Sequence, residues 1–484
     1  MIALRSTRAA DRLCRRGSRL YVAAAALALL CAGCATAPRV SPVLEAQLAA
    51  GRPPQIRGAH GILPAHRTQA ILSKLGGGAQ KTWLLKRHIA VAEAAVGTPL
   101  VAGNKVTLLK DGPATYAAMF KAIRGAKYNI NFNIYIFKND ETGHKFADLL
   151  IAKQTEGVQV NLMYDSVGCL DTPRAFFDRM KKAGINVVEF NPVNPAYAHG
   201  DWTINQRDHR KVLIVDGATV FVGGVNVSGV YASGPVKQLL HKLGRKAQKP
   251  SRREKEIKWR DTDVEIKGPV AAEFQKLFMR MWNSQHGKPL IGRYFPHLKP
   301  VGNDLVHAIG SSPNTPINLM YLTLISAVAH AQKYVHLTDA YFAPTPQTLE
   351  ALEDAARRGV DVELVLPSVT DVPVVLYAGQ SHYEDLLEAG VKIFERKKAL
   401  LHAKTAVVDG VWATVGSTNL DWRSILYNYE INAVVLSTTF GDEMEQMFEV
   451  DRANSVEITL DKWKHRPVGR RLQQWLSGMW ESLL

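Results

Sequence analysis

Two histidines in this chain each stand two residues before a lysine, at the head of an apolar run. They are His209-x-Lys211 in "DHRKVLIVDG" (208–217) and His402-x-Lys404 in "LHAKTAVVDG" (401–410). On an extended strand, residues i and i+2 project from the same face, so each pair sets an imidazole beside an ammonium group. Two such pairs in one cleft would repel each other unless an anion lay between them. Phosphate meets that demand, because lysine binds it as a point charge and histidine can act as nucleophile or proton donor. Each histidine also needs an acidic partner to fix its tautomer and stabilise its charged form. A lone His-x-Lys on a strand is ordinary surface decoration. Here both copies are followed by an aspartate (Asp216, Asp409), a glycine turn and an asparagine (Asn226, Asn419).

The elements that carry these residues repeat. "AIRGAKYNINFNIYIF" (122–137) matches "AVAHAQKYVHLTDAYF" (327–342), and "EGVQVNLMYD" (156–165) matches "RGVDVELVLP" (358–367). "KAGINVVEF" (182–190) matches "EAGVKIFER" (388–396), and the two histidine motifs follow in the same order. Four matched blocks in one order indicate a duplicated domain. Within each half, helical spacing ("TYAAMFKAI", "TLEALEDAARRG") alternates with short Val/Ile/Leu-rich runs, which predicts an α/β layered fold. "KVLIVDG" followed by "TVFVGG" predicts a hairpin. The expected architecture is two α/β repeats about a pseudo-twofold axis, with mixed sheets flanked by helices. The boundaries are 1–34 for a leader, 35–97 for an extension, 98–292 for the first repeat and 293–484 for the second. The segment 237–260, with ten Lys/Arg against two Glu, reads as an exposed basic loop.

At 484 residues, 46% hydrophobic and 21% charged, the chain has the composition of a globular protein rather than a disordered one. Its net charge is +16; residues 1–33 hold six Arg against Asp11, so +11 remains on the rest. Such a balance suits an anionic partner, lipid head group or nucleic acid, without choosing between them. An Arg-rich start, the run "YVAAAALALL" and the small-residue stretch "CAGCATAP" form a leader too short to span a bilayer as a mature helix. Its end resembles a bacterial lipoprotein signal with Cys34 as the lipidated residue, although Cys31 stands where leucine is usual; the alternative is an ordinary cleaved signal peptide or an uncleaved anchor. Ala35 after Cys34 implies outer-membrane sorting, on the periplasmic side of the cell envelope. After cleavage only Cys34 and Cys169 remain, neither at metal-site spacing, and Cys169 reads as a buried small hydrophobe.

H-x-K-x4-D followed by G-G/S-x-N, present twice, resembles the signature of the phospholipase D superfamily. "NQRDHRK", "DAYFAP", "AARRGVDVELVLP" and "GSTNLDWRSILYNYE" are most similar to its bacterial cardiolipin synthase branch, over roughly Val101 to Leu484. The resemblance implies phosphoryl exchange in two steps with no metal and no cofactor. His209 is expected to attack phosphorus and form a phosphohistidine, while His402 serves as acid and then base. Lys211, Lys404, Asn226 and Asn419 would hold the phosphoryl oxygens. Glu430 in "YNYEINAVV" is expected to orient His402, with Asp261 in "WRDTDVEI" as its first-half counterpart and Asp263 close by. Asp216 and Asp409 complete the catalytic motif, although their position suits holding the strand end and turn better than touching substrate.

The implied reaction transfers a phosphatidyl group to a second lipid's hydroxyl at a membrane surface. Two phosphatidylglycerols are the default pair, and phosphatidylethanolamine is an alternative partner. Water as acceptor would make the protein a phospholipase D, and an exported nuclease would use the same phosphodiester site. A tethered binding protein with a vestigial site fits worst, since both motifs are complete. Nucleic acid is not the expected partner, and the oligomeric state is left open. Tyr341-Phe342 reads as core, with lipid contact as the alternative. In "GRRLQQWLSGMWESLL", Leu472, Trp475, Leu476, Met479, Trp480 and Leu483 share one helical face. That helix either docks on the body by this face or lies at a lipid interface.

Overall fold

The computed structural model describes residues 55–76, 88, 99–197, 202–232, 258–315 and 318–483. The leader with Cys34, most of the extension, and all of the basic segment before Lys258 lie outside the described residues. A short hairpin, β1 (Ile56–Gly58) and β2 (Gly61–Ile62), leads in. The first half then supplies β3 (Leu100–Leu109), β4 (Asn129–Ile134), β5 (Gln159–Asp165), β6 (Asn186–Phe190), β7 (Arg207–Asp208), β8 (Lys211–Val215), β9 (Thr219–Gly223), β10 (Lys258–Arg260) and β11 (Asp263–Lys267). The second supplies β12 (Asp304–Ser311), β13 (Tyr334–Thr338), β14 (Asp361–Pro367), β15 (Lys392–Arg396), β16 (Ala399–Leu401), β17 (Thr405–Val408), β18 (Trp412–Gly416), β19 (Asn428–Leu436) and β20 (Ser455–Ile458).

The two halves use the same strand order. In the first it runs β6-β5-β4-β8-β9-β11-β3, parallel through β6-β5-β4 and antiparallel from there on. In the second it runs β15-β14-β13-β17-β18-β19-β12, with β20 added outside β15. Counterpart strands β3 and β12 meet antiparallel, so the two mixed sheets join about a pseudo-twofold axis, as the sequence repeat predicts. Helices Glu141–Thr155 and Pro346–Arg357 make the parallel crossovers, where the helical spacing places them.

The join is also a core. Helix Ala271–Ser284 from the first half and helix Thr438–Ala453 from the second share one apolar cluster with Val106, Val306, Val415 and Ala433. Phe274, Phe278 and Trp282 of that helix are fully buried, each contributing about 2–3 kcal/mol of hydrophobic stabilisation. Phe274→Ala would leave a cavity between the halves and cost about 3–5 kcal/mol.

Two short crossings between the halves decide the geometry of the site. β7, just before His209, pairs parallel with the start of β19 (Asn428↔Arg207, Tyr429↔Asp208). β16, just before His402, pairs parallel with β10 (Lys258↔Ala399, Arg260↔Leu401). Each histidine segment is therefore stitched to the other half's acidic strand rather than to its own.

Candidate active site

The motif strands β8 and β17 sit in the middle of their sheets, buried throughout, and run into tight turns. Asp216 and Gly217 have φ of 54° and 61°, and Asp409 and Gly410 have 52° and 67°. Positive φ at both central residues is the type I′ hairpin turn, matching the strand twist and favouring Asp-Gly. The Asp216 carboxylate accepts from the N–H groups of Lys127, Tyr128 and Asn129 at 2.7–3.2 Å. Asp409 accepts in the same way from Gln332, Lys333 and Tyr334 at 2.8–3.0 Å. Both aspartates therefore fasten the neighbouring strand's start to the hairpin. Asp216 and Asp409 thus sit where their position in the motif suggests, holding the strand end and turn, with every carboxylate bond going to backbone there.

At the other end of the strands stand the two histidines. His209 Nδ1 lies 3.0 and 3.1 Å from the two carboxylate oxygens of Glu430. His402 Nδ1 lies 2.7 Å from Asp261 Oδ2. The expected partnership is thus reversed: Glu430 orients His209, and Asp261 orients His402. The crossings are the cause, since His209 N–H donates to Tyr429 O and His402 N–H to Arg260 O, placing each ring beside the acid one residue farther on. A carboxylate only accepts, so Nδ1 carries the proton in both rings and Nε2 is left to face substrate.

Glu430 is held by Ser417 Oγ (2.5 Å), Ser424 Oγ (2.9 Å) and Asn428 Nδ2 (3.3 Å). Ser424 is fixed in turn by Asp421, whose carboxylate caps helix Trp422–Leu426 through Ser424 N–H. Asp261 accepts from Thr262 N–H at 2.8 Å, and Gly224 makes room for it, since a Cβ there would overlap its carboxylate. Asp263, the other acid near Asp261, does not reach a histidine; its Oδ1 accepts from Val225 N–H.

Lys211 Nζ donates to His209 O at 2.6 Å, and Lys404 Nζ to His402 O. Each also lies over a tyrosine ring, Lys211 on Tyr135 and Lys404 on Tyr341. Burial pushes Lys211 down to about 7 and lowers Lys404 as well, against the pull of Glu430 and Asp261. Burial likewise pushes His209 down to about 4, with Glu430 opposing and Lys211 and Lys404 assisting. His402 is lowered by burial and by Lys404, and Lys211 adds to it. Each histidine feels both lysines, so the two motifs form one electrostatic unit. An anion entering it would raise all four groups, the behaviour of a phosphoryl cradle.

The asparagines are placed unequally. Asn226 Oδ1 accepts from Ile136 N–H at 3.0 Å and its Nδ2 donates to Tyr231 OH at 3.2 Å, whereas buried Asn419 Oδ1 has no partner among the described residues. Tyr231 OH stands 3.4 Å from His402 Nδ1. Tyr341 packs partly buried against Ala343, Val375 and Ala378 and also meets the His402 ring in a T-shaped contact; Phe342 is core. Ser417, Ser424, Tyr135 and Tyr231 were not picked out by sequence reasoning. The one signal for the serines was their place beside Asn419 in "GSTNLDWRS". Cys169 is buried, its Sγ accepts from Phe137 N–H, and burial raises its thiol.

A family model described as "Cardiolipin synthase, PLD-like domain" matches residues 119–232 and 324–452. The chain is 31% identical over 417 residues to a cardiolipin synthase of Alkalihalophilus pseudofirmus, covering 85% of this chain and 78% of that one. It is 33% identical over 386 residues to cardiolipin synthase 1 of Bacillus anthracis, covering 78% and 72%. In fold it is similar to the phosphatidylserine synthase of Haemophilus influenzae (TM-score 0.59, 13% identity, 82% of this chain and 100% of that one).

Proposed function

Since this chain belongs to the phospholipase D-like cardiolipin synthase family, we propose that it joins two phospholipids by phosphatidyl transfer. The substrates of the reading are two phosphatidylglycerols, giving cardiolipin and glycerol, with phosphatidylethanolamine as an alternative partner. His209 Nε2 attacks phosphorus while its Nδ1–H is held by Glu430. The bond to the leaving glycerol oxygen breaks as His402 gives that oxygen a proton. His402, now neutral, takes the proton of the second lipid's hydroxyl. That oxygen attacks the phosphohistidine, and His209 departs. Lys211 and Lys404 stabilise charge on the phosphoryl oxygens throughout, with Asn226 and Asn419 as further donors.

The single observation that supports this most is the pair of crossed dyads, His209–Glu430 and His402–Asp261, each engaging Nδ1 and each in the field of both lysines. The reading extends to a first repeat over 98–292 and a second over 293–484. It also includes acylation of Cys34, holding the enzyme at the periplasmic side of the outer membrane. Among the described residues no helix is long and apolar enough to cross a membrane.

The test supplies the full chain with labelled phosphatidylglycerol in mixed micelles and resolves the products by mass. Cardiolipin with free glycerol is the expected result. Phosphatidic acid alone would replace transfer by hydrolysis, and no lipid turnover together with cleavage of DNA would replace it by a nuclease.

A further inference from the structure

Helix Val468–Gly478 is attached to the body by the side that sequence patterning would have left outside. Gln474 exposes 1% of its surface, while its neighbours Trp475 and Leu472 expose 60% and 55%. Gln474 donates to Gln380 Oε1 at 3.0 Å and accepts from Arg466 Nε at 2.7 Å. Gln380 in turn donates to Glu395, and Glu481 just beyond the helix meets His382 Nε2 at 2.6 Å. These bonds clamp the helix on Pro373–Ser381 by its polar side. Val468, Leu472, Trp475, Leu476, Met479 and Trp480 are left facing solvent on one stripe.

Water is a poor occupant for that stripe, and charge indicates a better one. Residues 461–481 hold five Lys/Arg against Asp461 and Glu481, and of the five Lys464 pairs with Glu388 and Arg466 with Glu384. Arg470 and Arg471, both exposed, make no ion pair among the described residues. Tryptophans beside a leucine stripe with arginines at the flank suit the head-group layer of an anionic bilayer.

The helix that carries the stripe rests on an element that leads to the site. Helix Pro373–Ser381 is preceded by the loop with exposed Val369 and Val372, whose Asp371 accepts from Tyr341 OH at 2.6 Å. Tyr341 is the ring beside His402 and Lys404. In the other half the equivalent loop exposes Val167 and Leu170 and packs through Gly168 against Tyr135, the ring beside His209. Both rim loops are thus tipped with exposed aliphatic side chains.

We propose that helix Val468–Gly478 is a membrane-docking face, which lays its apolar stripe into an anionic phospholipid surface and presents the rim of the site to it. This rests on the proposed function only in the choice of lipid.

Hydrogen exchange on the full chain tests it, with vesicles of phosphatidylglycerol or of phosphatidylcholine alone. Phosphatidylglycerol vesicles should slow exchange across 468–480 by about tenfold or more, and phosphatidylcholine should do so less. Leu472→Glu with Trp475→Glu should abolish that protection at unchanged melting temperature. Trp475→Phe, which keeps an aromatic ring, should retain it and so covers the case in which the double variant unfolds. His209→Ala should dock like the wild type, which separates docking from turnover should the lipid reaction prove wrong. Unchanged exchange at 468–480 in chain that floats with the vesicles, or no flotation at all, would overturn the proposal. So would equal protection on phosphatidylcholine, or protection that grows with protein concentration without lipid, the mark of a second copy on the stripe.

Discussion

The two half-sites share one plan but differ in how firmly each acid is held. Glu430 behind His209 accepts from three side chains, Ser417, Ser424 and Asn428, and the facing His209, Lys211 and these bonds outweigh burial to keep it ionised. Asp261 behind His402 takes a single backbone N–H, from Thr262. Gly224 in the first half stands where Ser417 does in the second, so a donor in one is empty room in the other. The second half in turn has Asp339, whose carboxylate accepts from Tyr341 and Leu420 N–H and faces Lys404. Burial pushes Asp339 up to about 8 against that lysine. A fixed anion and a neutral ring suit a nucleophile, whereas a looser carboxylate suits a ring that must gain and lose a proton. The difference favours His209 as nucleophile and His402 as acid and base.

The harshest test of that division is removal of either ring. His209→Ala and His402→Ala should each lower kcat by about 10³-fold or more, as expected for members of one catalytic unit. Labelled donor lipid should leave a trapped phosphoryl-protein only where His209 remains. Next come the acids. Glu430→Gln and Asp261→Asn should each cost about 10²–10³-fold in kcat through loss of the orienting anion, measured with KM little changed. If Glu430→Gln proves harmless while Asp261→Asn is severe, the assignment of roles is reversed. Ser424→Ala, which removes one donor from Glu430 and the acceptor of Asn419 N–H, should cost about tenfold, whereas Thr262→Ala in the other half should be nearly silent, because Asp261 is bound by the Thr262 backbone.

The pH profile sharpens the same contrast. Attack needs neutral His209, so kcat/KM should fall as pH drops through about 4. Phosphoryl binding needs charged Lys211 and leaving-group protonation needs charged His402, which burial also lowers, so kcat/KM should fall again as pH rises, with Lys211 losing its charge at about 7. Glu430→Gln removes the anion that favours the His209 cation, so it should move the acid limb lower still. The smallest effect on chemistry is expected at the turns. Asp409→Ala loses three charge-assisted bonds at a positive-φ residue and should cost about 2–4 kcal/mol of stability, with kcat per folded molecule within about twofold of wild type.

What the sequence made legible was local or repeated. The hairpins follow from Val/Ile runs ending in Asp-Gly, and the parallel strands from apolar blocks that recur in order. The histidine–lysine faces follow from a spacing of two. The partnership of the acids was not legible, because it depends on β7 pairing with β19 and β10 with β16. Those contacts join residues 221 and 141 positions apart, and alignment of the repeats suggests the opposite choice. Tyr341 was hidden for a related reason: an aromatic beside a buried Phe342 has the same pattern whether it packs inward or turns to a cleft. In the last helix, the spacing identified the apolar stripe but gave no sign that one glutamine would be the docking residue.

The pairing of β7 with β19 and of β10 with β16, each across the two halves, has a consequence for how such a chain can be divided or built. Neither repeat owns a complete dyad, since each lends its acid to the other's histidine. Cutting the chain between the repeats should therefore yield two inert fragments whose activity returns only on reassociation, with a second-order dependence on concentration. Conversely, a protein with one repeat could assemble this chemistry only as a symmetric pair, each copy completing its neighbour. Fusing the two copies into one chain removes that dependence on encounter and frees the two acids to diverge.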